Sequence, residues 1–131
     1  MRVERCEMTK TLIIPGTLPG LNEYINAERR NRYIAANIKK RAEKDISVMI
    51  RKHLSGVKYK KPVVMDYTWY EPNQRRDKDN VVFARKFIQD ALVSSGVLKN
   101  DGWKEIHGFS DFVTVDKQNP RVEVVISEVK T

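Results

Sequence analysis

The chain has 131 residues, with 25 Lys and Arg against 17 Asp and Glu, a formal net charge of +8 and a pI of about 9.7. This length is enough for one domain with its own core, and we expect a single domain over residues 1–131. The positive excess favours a polyanionic partner, nucleic acid before a membrane surface. With one cysteine and two histidines, an internal disulfide and an ordinary Cys/His zinc site are excluded, so any metal would need oxygen ligands.

Targeting and membrane segments are not predicted. No apolar stretch approaches the ~18 residues of a membrane span, and the charged first ten residues lack the apolar core of a signal peptide. We therefore expect a reduced, cytoplasmic protein without a membrane partner. Residues 1–9 are predicted to form a loose N-terminal tail.

The first half of the chain predicts a strand, a helix and a second strand. Residues 11–14 are typical of a short strand, and the breaker-rich residues 15–20 of a loop. Apolar residues recur at spacings of three and four between Ile38 and Ile50, which predicts a helix over about residues 32–54. From residue 63 the period changes to two, which predicts a strand that ends before Pro72.

The second half predicts one more helix and two closing strands. A buried stripe through residues 84–92 predicts a helix over about residues 79–95, which Gly96 ends. Strands are predicted over about residues 105–115 and 121–129. The order β-α-β-α-β-β favours an α+β fold, in which two main helices pack on a mixed or antiparallel sheet.

Basic charge is concentrated in one part of the sequence. Residues 29–61 carry 12 basic and 2 acidic residues, a local charge of +10 that exceeds the net charge of the chain. A solvated amphipathic helix explains this pattern, and so does a face that binds DNA. Arg75 and Arg76, beside Asp77, favour the second explanation. The residues predicted to contact DNA are Arg75, Arg76, Lys40, Arg41 and Lys44.

An acidic cluster in a basic setting is the main chemical signal. Asp77 and Asp79 lie directly after two arginines, and a continuous helix that turns about 100° per residue would place Asp79, Lys86 and Asp90 on one stripe. Carboxylate oxygens suit a hard cation such as Mg²⁺, which can hold a phosphate oxygen and orient an attacking water. A lysine can stabilise charge that develops on the phosphate. The simpler alternatives are that Asp77 or Asp79 caps the helix and that Lys86 and Asp90 form a surface ion pair.

These pieces occur in an order that resembles the RusA family of Holliday-junction resolvases. The resemblance covers about residues 11–128. Its matching parts, in chain order, are Ile13-Ile14-Pro15-Gly16-Thr17-Leu18-Pro19-Gly20, Asn22, Tyr24, the long basic helix, Arg75-Arg76-Asp77-Lys78-Asp79-Asn80, Asp90-Ala91-Leu92, Gly96 and Asn100-Asp101.

The resemblance implies a homodimeric endodeoxyribonuclease that cuts branched DNA, namely four-way junctions, by paired nicks in recombination and repair. It implies Mg²⁺ as the cofactor, with Mn²⁺ as an alternative, and a phage or prophage origin is common in such proteins. Asp77, Asp79 and Asp101 match the metal-binding aspartates of the family. Lys86 matches its helix lysine when the helix is aligned backward from Asp90, whereas alignment from Asp79 puts Phe83 at that position.

Two departures from the family pattern leave an alternative open. The helix is nearly one turn longer than in well-known members, and many members have two adjacent acids where this chain has Asn100 and Asp101. A non-catalytic DNA- or RNA-binding module accounts equally well for the basic charge. The tryptophans, Trp69 and Trp103, are expected in the core or in an interface.

Overall fold

The computed structural model describes residues 5–129, and the side chains of residues 8–129. It has an α+β fold with a four-stranded mixed sheet, as the sequence predicts. In chain order its elements are β1 (Arg5–Pro15), α1 (Leu21–Arg30), α2 (Arg32–His53), β2 (Val63–Glu71), α3 (Lys78–Val82), α4 (Arg85–Ser94), β3 (Ile106–Val115) and β4 (Arg121–Val129).

The strand directions decide which loops meet. The strand order is β1-β4-β2-β3, with β4 antiparallel to both β1 and β2 and with β3 parallel to β2. Glu71 therefore lies opposite Val115 at one end of the β2–β3 pair, and Val63 lies opposite Ile106 at the other. At about 3.3 Å per residue, the ten residues of β3 separate these two ends by roughly 30 Å.

The core lies between one face of the sheet and the helices. Alternate residues of β2 are buried, as the period of two predicts. Tyr67 and Trp69 stack with 5.6 Å between their ring centroids, and both are almost fully buried. The helices α2 and α4 contribute the opposing apolar side chains, which include Ile46, Ile50, Phe87, Ile88 and Leu92.

In the first half of the chain, one predicted bound needs correction and one helix was not predicted. The strand β1 begins at Arg5, so residues 5–9 belong to the sheet and do not form the expected loose tail, while residues 1–4 lie outside the described residues. The helix α1 was not predicted, although Leu21, Tyr24 and Ile25 recur along it at spacings of three and four; Ala27 is its one buried residue. Asn31 separates it from α2, and its side chain caps α2 by accepting a hydrogen bond from the Tyr33 amide (2.7 Å).

The helix predicted over residues 79–95 is in fact two helices, α3 and α4. They are separated by Phe83 and Ala84, where the Ala84 amide bonds to the Val81 carbonyl three residues earlier (3.4 Å). The Phe83 ring lies 5.5 Å from those of Tyr24 and Phe87. The turn at Phe83 and Ala84 therefore lies within this aromatic cluster.

Candidate active site

Asp77 and Asp79 lie together at the end of the sheet where β2 and β3 finish. They border a cavity of about 600 Å³ whose other walls include Glu71, Lys78 and Val113–Val115. Asp77 precedes α3 with an extended backbone, and its side chain makes no capping hydrogen bond. Asp79 lies inside the first turn of α3. Neither aspartate is therefore a side-chain cap, and both exposed carboxylates face the cavity without an ion-pair partner among the described residues.

Arg76 holds this loop in place. Its Nε and Nη2 donate to the two carboxylate oxygens of Glu71, both at 2.9 Å, and its Nη1 donates to the Leu18 carbonyl at 2.9 Å. Glu71 is only 7% exposed, so this charge needs its partner. Three donors of Arg76 are thus used inside the protein, which gives it a structural role, while its predicted contact with DNA stays a prediction. Arg75, in contrast, is exposed.

The asparagine that follows the acid pair also has a structural role. The Oδ1 of Asn80 accepts a hydrogen bond from the backbone amide of Asn22 (2.9 Å) at the start of α1. A Cβ atom on Gly20 would lie 2.6 Å from the same oxygen, so only glycine fits at that position. The D-x-D-N segment therefore positions α1 as well as presenting two acids.

Removing Arg76 should destabilise the fold. In Arg76→Met the Glu71 charge stays buried without a partner, and we expect a loss of about 2–3 kcal/mol in the free energy of unfolding. This is below the usual cost of breaking a fully buried pair, because the Arg76 side chain is 27% exposed. Urea denaturation measures the change. Arg75→Met is the matched control and should cost less than about 0.5 kcal/mol; equal losses for the two variants would contradict the structural role.

Lys86 lies in a different setting from the acid pair. It occupies the first turn of α4, where its Nζ is 3.9 Å from the Asp90 carboxylate, which also pairs with Lys39 of α2 at 3.5 Å. The Glu43 carboxyl is close to Lys39, Asp90 and Lys86. Burial raises the pKa of Glu43, and the positive charge of Lys39 opposes this shift. The predicted Lys86–Asp90 ion pair is present, and a two-residue turn at Phe83 and Ala84 separates the helix of Asp79 from the helix of Lys86. The lysine that borders the acid cavity is Lys78.

Asp101 does not approach the acid pair within one chain. It precedes β3 and borders a separate cavity of about 290 Å³ beside Trp103 and Phe109. Because β3 runs parallel to β2, residues before β3 and residues after β2 lie at opposite ends of the sheet. Among the side chains of residues 8–129 there is no group of three or more His, Cys, Asp or Glu placed to hold a metal ion. The expected convergence of Asp77, Asp79 and Asp101 is therefore wrong for a single chain.

The predicted DNA-binding residues of α2 are all accessible. Lys40, Arg41 and Lys44 are exposed, and none of them has an ion-pair partner among the described side chains. Arg41 borders a cavity of about 460 Å³ between α2 and the loop before α1. These cations are available to an external anion, and their predicted contact with DNA stays a prediction.

Sequence reasoning missed a charged network beneath the edge strand β3. Asp111 accepts a hydrogen bond from Trp69 Nε1 (2.8 Å) and pairs with Arg85 (3.0 Å), whose guanidinium lies 4.3 Å from the centre of the Phe109 ring. These residues come from β2, α4 and β3, so no spacing along the chain reveals the contact. The network fixes β3 against the helices and confirms Trp69 as a core residue.

The comparison with protein families decides the assignment. The chain matches the family described as "Endodeoxyribonuclease RusA" over residues 15–127, a span that includes the acid pair and most of the sheet. The chain belongs to the RusA endodeoxyribonuclease family. No curated protein matches it. Among solved structures, the periplasmic domain of Helicobacter pylori MotB has 15% identity and a TM-score of 0.40, over 98% of this chain and 87% of that one. Within residues 5–129, no helix is both long and apolar enough to span a bilayer.

Proposed function

We propose that this RusA-family protein is a Mg²⁺-dependent endonuclease that resolves four-way DNA junctions by paired nicks, in recombination and repair. The observation that carries the proposal is the exposed Asp77–Asp79 pair inside the part of the chain that matches the family. Two unpaired carboxylates beside each other on a basic protein repel each other, and neither contributes a cap to the fold. A divalent cation would relieve that repulsion, and it could then hold an oxygen of a DNA phosphate beside the two acids.

The side chains present fit the metal that the family implies. The cavity offers carboxylate oxygens and, among its lining residues, no histidine or cysteine. Mg²⁺ is commonly held by one or two carboxylates together with waters and substrate phosphates, and Mn²⁺ accepts the same ligands. Asp77 and Asp79 would hold the ion. When bound, the ion would neutralise charge on the phosphate and lower the pKa of a water.

The remaining roles follow from charge and exposure. Arg75 would bind a phosphate next to the cut, while Arg76 keeps the loop and its two acids in position. Lys40, Arg41 and Lys44 would follow a DNA arm along α2, since contacts to phosphate set position without reading sequence. Lys86 would stabilise the charge that develops on the phosphate oxygens. Its side chain is 66% exposed and its ion pair with Asp90 is weak, so it can turn toward DNA.

A homodimer would cover the exposed apolar edge of the sheet. The strand β3 lies at the edge of the sheet. Phe109, Phe112 (65% exposed) and Val115 are exposed along it, and Trp103 (99% exposed) lies in the connection before it. An exposed apolar edge strand is a template for pairing with another strand. A second copy of the chain is the occupant we propose, because a two-fold pair also matches the symmetry of a four-way junction.

Antiparallel pairing of two β3 strands would complete the metal site. In such a pair the start of one strand lies beside the end of the other. The end of β3, residues 113–115, borders the acid cavity, and Asp101 precedes its start. Each dimer would then have two sites, each formed by Asp77 and Asp79 of one chain and the partner's Asp101. Sedimentation at micromolar concentration tests the dimer; a 15.3 kDa species alone, with and without junction DNA, would contradict it.

Cleavage of a synthetic four-way junction tests the proposed function as a whole. We expect paired nicks with Mg²⁺ and no product when the metal is chelated. A chain that binds the junction but yields no metal-dependent product would instead be the non-catalytic DNA- or RNA-binding module.

The lysine that serves the reaction can be identified by paired substitutions. Lys86→Gln should slow cutting about tenfold or more, because one donor to the developing charge is lost, while junction binding changes little. Lys78→Gln is the comparison, since Lys78 borders the acid cavity. Single-turnover rates at saturating enzyme measure both. Full activity of Lys86→Gln together with a slow Lys78→Gln would transfer the role to Lys78.

A further inference from the structure

A further cavity, of about 430 Å³, lies at the end of the sheet opposite the acid pair. Two segments form it, one that leads into β2 and one that connects α4 to β3. Its charged lining residues are Lys58, Lys60, Lys61, Lys99, Lys104 and a single acid, Glu105. Neither segment was among the predicted DNA contacts.

The lysines of this cavity are not used in ion pairs that stabilise the fold. All of them are exposed, and none forms an ion pair among the described residues. The Oε1 of Glu105 accepts a hydrogen bond from the Gly102 amide (3.2 Å), so the one acid is directed into its own turn. The cavity is therefore a local concentration of accessible positive charge, which attracts an external anion.

The two lysine-bearing segments are held in fixed positions. The Tyr59 amide donates to the Val97 carbonyl (3.0 Å), and the Val63 amide donates to the Glu105 carbonyl (2.9 Å). The Tyr59 hydroxyl also donates to the Ile126 carbonyl (2.9 Å) from an almost fully buried position. The lysines therefore project from a backbone that is already ordered, which lowers the entropy lost when they bind a ligand.

We propose that this lysine cavity binds the backbone phosphates of a DNA strand, as a contact separate from that of α2. Lysine is a point-charge donor that suits phosphate oxygens and does not read base edges, so the contact would be independent of sequence. Lys99 and Lys104 belong to the connection that also carries Asp101. In the proposed dimer the cavity would lie beside the partner's acid pair, next to the strand that is cut. To that extent the inference rests on the proposed function.

Binding of a synthetic junction without divalent metal tests the proposal. Each lysine that contacts a phosphate should reduce the slope of log affinity against log salt by about one. We expect Lys60→Gln/Lys104→Gln to lower this slope by about two and the affinity at low salt by at least about tenfold. The matched control is Arg29→Gln/Arg30→Gln, which removes the same charge from the exposed end of α1 and should change affinity by less than about threefold.

The outcomes separate this inference from the proposed function. Equal losses of junction affinity in the two double variants would overturn the lysine site without contradicting the proposed cutting activity. Absence of junction binding by the unsubstituted protein would overturn both. Thermal melting of each variant shows whether it is folded; if the glutamine pair unfolds, Lys60→Gln and Lys104→Gln are measured singly, and each should lower the salt slope by about one, whereas an unchanged slope in both would overturn the lysine site.

Discussion

Asp79→Asn is expected to abolish cutting of a four-way junction while binding of the junction remains. The amide keeps the size of the side chain but removes the charge that would hold Mg²⁺ in the cavity with Asp77. Substitution of a residue that only hydrogen-bonds to a metal ligand typically lowers activity by roughly 10–100-fold. Loss of a ligand itself should therefore lower the cutting rate by at least about 100-fold. Asp79 lies in the first turn of α3, where its charge contributes at most about 1 kcal/mol to stability. Cleavage rates and gel-shift binding, measured side by side, separate the two effects.

A matched substitution controls for the change of charge. Asp45→Asn makes the same chemical change at an exposed position on α2, away from the acid cavity. Its cutting rate should stay within about twofold of the unsubstituted protein. If Asp79→Asn cuts as fast as Asp45→Asn, the acid pair is not the site of hydrolysis.

Mixing two inactive variants should restore cutting if the metal site spans two chains. Asp79→Asn and Asp101→Asn are each expected to be inactive alone. In a mixed dimer, one site would combine both substitutions, and the other would have Asp77 and Asp79 of one chain and the partner's Asp101, all intact. With random exchange, about half of the dimers are mixed, and each mixed dimer has one intact site out of two. About a quarter of all sites should therefore recover activity. The product should be single nicks, because paired cutting needs two active sites.

The mixing experiment has a sharp opposite outcome. If each site lay within one chain, both sites of a mixed dimer would carry a substitution, and no activity would return. Mixing Asp77→Asn with Asp79→Asn is the negative control, because both residues belong to the same half of the proposed site. Recovery in that control would contradict the composite arrangement.

Much of the fold was predictable because the relevant patterns are local. The alternation along β2 and the apolar stripe of α2 identify those elements, since burial on one face imposes a period of two on a strand and about 3.6 on a helix. The short helix α1 carries only a brief stripe of this kind, Leu21, Tyr24 and Ile25, and was missed. The division between α3 and α4 was also missed, because the buried apolar stripe continues across the turn at Phe83 and Ala84.

The candidate site was predictable only in part, for a similar reason. Asp77 and Asp79 are two residues apart, so their proximity was evident from the sequence alone. The position of Lys86 relative to Asp79 was not, since it assumed a continuous helix. The structural roles of Arg76 and Asn80 depend on Glu71 and Asn22, which lie in other segments of the chain.

The sequence by itself determined the α+β class, the acid pair, the basic character and the family resemblance, because residue types and short spacings carry that information. Only the tertiary structure decided the location of Asp101 and the existence of the lysine cavity. Both depend on the direction of β3 relative to β2, which determines the end of the sheet at which each connecting segment lies. A parallel pair puts the start of both strands at one end, and so brings the lysine segments together while it separates Asp101 from the acids of its own chain.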